Sequence, residues 1–169
     1  MAAQLGVVVI HGMGSQVRGF SGSLKDAVSN RLDTRAARLT WQEVYWADVL
    51  ESREKELWDW MLKASQQDGT PLPLAWKTAR EFVVHNFGDA IAYHRDQAAS
   101  AYDDVHARIS SRVCDLKRAL RDAAAPIVVM AHSLGAHMMS NYIWDRQHRT
   151  AATADSLEPI PTLAAMITF

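Results

Sequence analysis

The stretch VVMAHSLGAHMM, residues 128–139, changes character at its middle. An apolar, β-branched run ends at His132, and helix-forming residues take over after Gly135, so Ser133 falls on a strand-to-helix junction. A serine on such a turn is held with its hydroxyl above the carboxyl edge of a sheet, while the first amides of the helix point at whatever that hydroxyl attacks. This is a setting for a nucleophile. Strand and helix come close together two residues either side of the serine, so small residues are required there, and Ala131 and Gly135 supply them. A serine after an apolar strand is also an ordinary helix cap, and the junction alone does not separate the two roles.

A second group of chemically suggestive residues stands near the other end of the chain. The apolar run Leu5 to Ile10 is followed at once by His11-Gly12-Met13-Gly14-Ser15. Gly12-x-Gly14 after a strand begins like a dinucleotide-binding loop. Val17 occupies the place of the third glycine, however, and no acidic residue ends the second strand where a ribose would be held; Asp48 comes too late. Phosphate binding at the Gly12 loop is therefore the weakest of the functional readings.

Other reactive residue types carry less. His85 with Asp89 and His94 with Asp96 each offer two metal ligands, whereas a site needs three or four. No metal or other cofactor is expected. The single cysteine, Cys114, lies in a helical pattern with Val113 and Leu116 and reads as packing in a reducing compartment. A formal net charge of −1, with cations and anions interspersed, offers no basic field for nucleic acid. The start of the sequence lacks the basic opening and cleavage site of a signal peptide, and no apolar run is long enough to span a membrane, so a cytoplasmic protein is expected.

The elements that must position Ser133 and the Gly12 loop can be read from periodicity. Leu5 to Ile10 predicts a short strand buried on both faces of a parallel sheet. Ser21 or Ser23 can cap a following helix with Leu24, Ala27, Val28 and Leu32 on one stripe. Leu39 to Trp46 predicts a second strand, after which Asp48 can cap another helix. Tyr102, Val105, Ile109, Val113, Leu116 and Leu120 recur at steps of three and four, the pattern of a crossover helix lying on the sheet. Pro126 to Met130 reads as the third strand, Leu134 to about Arg149 as the next helix, and Leu163 to Phe169 as a fourth, central strand.

A parallel crossover needs one helix, and the region between the second and third strands is far longer than that. Its surplus, about residues 49–97, is expected to form a helical cap. Trp58, Trp60, Trp76, Phe82 and Phe87 lie in it and most simply pack helix on helix. The fold class expected is α/β: a doubly wound, mostly parallel sheet in three layers, α/β/α, forming one domain over residues 1–169. A chain of this length buries roughly two thirds of its unfolded surface around one core. In such a sheet the first strand is central, with the second and third on either flank, so the loops leaving strands one and three border one crevice. Those loops are His11 to Ser15 and His132 to Leu134.

Ala131-His132-Ser133-Leu134-Gly135 resembles the nucleophile elbow of the α/β-hydrolase family, Gly-x-Ser-x-Gly, with alanine in the first position, and is similar to the His-Ser-Leu-Gly form of lipases and esterases. The His11-Gly12 pair resembles the family's His-Gly loop. The resemblance implies that Ser133 is the nucleophile and that the backbone amides of Met13 and Leu134 hold the oxyanion. It also implies an acid and a histidine following the serine in that order.

After Ser133 the only histidines are His137, one turn into the same helix, and His148, about 20 Å along it. Asp145 is on that helix too, and Asp155 comes one strand too early. The expectation is a truncated hydrolase core whose acid and histidine lie beyond residue 169. A small-molecule acyl substrate would bind under the cap, and an open sheet edge would favour a homo-oligomer. The alternative from another class is a non-catalytic hydrolase remnant serving as an interaction module.

Overall fold

The run of β-branched residues at Leu5–Ile10 forms strand β1, and five of its six residues are buried. The computed structural model describes residues 4–14, 16–50, 93, 101–148 and 158–169. Helix α1 is Gly22–Leu32, and a 3-10 turn, Asp33–Arg38, leads into β2, Leu39–Val44. Helix α2 is Ala101–Ala119, β3 is Ile127–Ala131, α3 is Leu134–His148 and β4 is Leu163–Thr168. The expected cap lies outside the described residues except at 49, 50 and 93, as do His85, Asp89, His94, Asp96, Asp155 and the cap aromatics.

The four strands make one sheet in the order β2-β1-β3-β4, every neighbouring pair parallel. The register assigns the faces. Val9, Glu43 and Met130 lie level with one another on one face, and Ile10, Val44 and Ala131 on the other. Ser21 and Lys25 reach the carboxylate of Glu43, which puts α1 on the Val9 face. The Ile10 face carries α2 and α3, whose Val105, Ile109, Val113, Leu116, Met138, Met139 and Tyr142 join Val8, Ile10, Val44 and Val129 in a single core. Helices therefore cover both faces, as right-handed crossovers require when the winding direction reverses after β2.

The stripe on α2 is buried as its spacing predicts, from Tyr102 through Leu120. Each of its large apolar side chains contributes about 1.5–3 kcal/mol by leaving water. Helix α1 is different, because none of its residues is buried. The two capping expectations are corrected. The Ser21 hydroxyl is turned to donate to Glu43 and accepts nothing from the first turn of α1, the bond to a carboxylate being the stronger one. Asp48 sits within the helical turn at 47–50, and its oxygens accept from Arg18 (2.9 Å) and Arg108 (2.8 Å). Among the described residues β4 is an edge of the sheet, with Ile167 exposed, whereas its apolar composition predicts a central position. No helix among the described residues is long and apolar enough to cross a membrane.

Candidate active site

Ser133 stands between the last residue pair of β3 and the first turn of α3, and it is exposed. Its φ is 49°, in the left-handed region that a residue with a Cβ enters only when its surroundings impose it. The imposing contacts can be named. The His132 N–H donates to the Ile10 carbonyl (3.1 Å), which fixes the end of β3 against β1. The Ser133 N–H donates to the Phe169 carbonyl (2.9 Å), while the helix opens with Gly135 and Ala136 N–H donating to the His132 and Ser133 carbonyls (both 2.9 Å).

Two glycines let the loop after β1 close onto this turn. A side chain on Gly12 would begin 2.9 Å from the Ser133 Cβ and nearer still to the His132 ring. A side chain on Gly135 would overlap the His11 carbonyl oxygen, a backbone atom that cannot swing aside. His11-Gly12 and His132-Ser133 are thus packed in direct contact, though 120 residues separate them in the chain. Among the described residues neither the Met13 nor the Leu134 N–H has an acceptor. Leu134 is the first residue of α3, where the dipole of the helix adds to the amide's attraction for negative charge.

His11 is buried and its ring is held on both nitrogens. The Trp46 N–H donates to Nε2 (3.1 Å), so that nitrogen carries no proton, and Nδ1–H donates to the Gly12 carbonyl (2.8 Å). These partners assign the neutral Nδ1–H tautomer. The imidazole stacks on the Trp46 indole (4.5 Å between centroids, 14°), whose Nε1–H donates back to the His11 carbonyl (2.9 Å). His11 orients the Gly12 loop and is not placed to move a proton. His132 is exposed and lies 5.4 Å from the Phe169 ring.

The other histidines of the described region serve elsewhere. His137 Nε2 accepts from the Asn141 amide (3.2 Å). His148 donates to the Trp144 carbonyl (2.9 Å) and stacks on its indole. Among the described residues no histidine is hydrogen-bonded to Ser133.

Sequence reasoning did not anticipate a buried polar cluster between α2 and α3. Tyr102 Oη donates to Asp145 (2.6 Å), His106 Nδ1 lies 3.5 Å from the same carboxylate oxygen, and Tyr93 Oη pairs with His106 Nε2 (2.8 Å). Burial drives the Tyr93 phenol far above its ordinary value and pushes Tyr142 up to about 12. Tyr102 and His106 are four residues apart on one helix face, a spacing that could have flagged them. Asp145 lies some twelve residues along α3 from the serine turn, about 18 Å, while Tyr93 at the other end of the cluster packs edge-on against His137 (6.0 Å between ring centroids).

Comparisons with protein-family models, with curated proteins and with solved structures find no match to this chain.

Proposed function

We propose that this chain carries the nucleophile and oxyanion site of a serine hydrolase of the α/β-hydrolase kind, an esterase or lipase acting on a small-molecule acyl compound. The single observation behind this reading is Ser133 itself: an exposed serine in the left-handed conformation, on a strand-to-helix turn, with Gly12 packed against its Cβ. A serine that only capped α3 would have no need of positive φ, since caps adopt extended backbone.

In the proposed reaction the Ser133 oxygen bonds to the carbonyl carbon as its proton passes to a base, and the carbonyl electron pair moves onto oxygen. The Met13 and Leu134 amides meet that oxyanion, a contribution of about 3 kcal/mol for each donor. Collapse restores the carbonyl, breaks the bond to the leaving alcohol, which takes the proton, and leaves an acyl-serine for water to cleave. The base and its acid come from outside the described residues, and the cap expected over 49–97 belongs to the same proposal.

A fluorophosphonate probe tests it. Labelling at Ser133, abolished in Ser133→Ala, is expected in this chain or in one extended past Phe169. Absence of labelling in both overturns the reading and leaves the non-catalytic interaction module, which the exposed β4 edge favours.

A further inference from the structure

Beside the serine turn lies a cavity of about 300 Å³, lined by Gly12 and His132 on the side of the turn and by Phe20 and Leu24 at the start of α1. Val9 and Phe169 also line it, the Phe169 ring 5.4 Å from that of His132. Among the described residues no lysine, arginine, aspartate or glutamate lines it. Of its polar members, His11 has both ring nitrogens engaged and Ser21 donates to Glu43, so the interior offers no free partner to a charged group. The exposed Gln16 and His132 are what remains.

We propose that this cavity takes the acyl chain of the substrate and limits it to an uncharged group of medium length. The inference rests on the hydrolase reading of Ser133 and departs from the expectation that substrate is held under the cap, because the cavity is built from β1, α1 and the two loops. Gly12 and His132 both border Ser133 and line the cavity, so the acyl chain of a carbonyl held over Ser133, with its oxygen at the Met13 and Leu134 amides, passes along these two residues into it. The volume sits at the lower limit of small-molecule sites. At about 30 Å³ for each group the size of a water molecule it holds about ten non-hydrogen atoms. Charged or bulky acyl groups are excluded by desolvation in the first case and by the Phe20 and Leu24 walls in the second.

The test separates binding from chemistry. Methyl n-alkyl ketones need no catalytic base to bind, and their affinity should rise about fourfold per methylene up to a chain of eight to ten carbons and then level off, with shifts at the Leu24 methyl signals. Leu24→Trp should shorten the limit by several carbons, and Leu24→Ala should lengthen it. In parallel, the rate of Ser133 labelling by alkyl fluorophosphonates should follow the same chain-length limit. Labelling that is indifferent to chain length, or ketone shifts away from Leu24, overturns the acyl cavity alone. Ketone binding as described with no labelling of Ser133 overturns the hydrolase reading, and the acyl assignment with it.

Discussion

The His11 carbonyl oxygen lies against the Cα of Gly135, in the space any side chain at that position would need. The contact clamps the first turn of α3 onto the loop after β1. Because the obstacle is backbone, Gly135→Ala must displace an element, and a loss of about 3 kcal/mol is expected, the upper end of the overpacking range. Urea unfolding with an unchanged m-value measures it. A loss under 0.5 kcal/mol would show that the turn and the loop are not in contact.

Ser133 predicts a stabilising replacement. Glycine accepts φ of 49° without the steric penalty that any Cβ incurs. Ser133→Gly should therefore be more stable than Ser133→Ala by about 1 kcal/mol, although both lose fluorophosphonate labelling. Equal thermal midpoints for the two variants would remove the strain from the argument.

Glu43 predicts a dependence on pH. Burial raises its carboxyl, but the Ser21 hydroxyl and amide, the Gly19 amide and Lys25 together outweigh burial and leave it below its ordinary value. A depressed carboxyl stabilises the fold above its unfolded pKa, and that stabilisation is lost as pH falls through the folded value. Wild type should exceed Glu43→Gln by on the order of 1 kcal/mol at pH 7, and the gap should close below the ordinary carboxylate range. A gap that persists unchanged into acid would point to shape rather than charge.

In the cluster between α2 and α3, Tyr102→Phe removes one of the donors to Asp145 in a site closed to water. A loss of about 1–3 kcal/mol is expected. Asp145 is remote from the serine turn, so labelling of Ser133 by a fluorophosphonate should proceed at the wild-type rate. A slowed reaction would instead couple the cluster to the site.

The parts of this molecule that repeat at short range were legible in the sequence. Leu5 to Ile10 forms the strand its β-branched run predicts, and the six apolar residues read as one face of α2 are all buried. The need for a small residue at Gly135 was legible as well, because a sharp turn constrains residue size within five positions and that constraint is written locally.

Ser21 and Asp48 were misread for one reason: each was assigned a cap on its own helix, and each is engaged by a partner from elsewhere in the fold, Glu43 in one case and Arg108 in the other. The pairing of His11 with Trp46 spans 35 residues, and that of Tyr102 with Asp145 spans 43. Nothing in either local stretch encodes such a partnership; only the winding of the sheet brings them together.

The placement of β1 between β2 and β3 has a consequence for synthesis. Ile10 pairs with Ala131, so β1 waits for one of its two neighbours until the growing chain is some 120 residues longer. During that interval an apolar strand has one bare edge, and closure of the sheet joins segments of very high sequence separation, the slowest kind of contact to form. An unpaired apolar edge of this kind is exposed to association with other chains up to the moment β3 emerges.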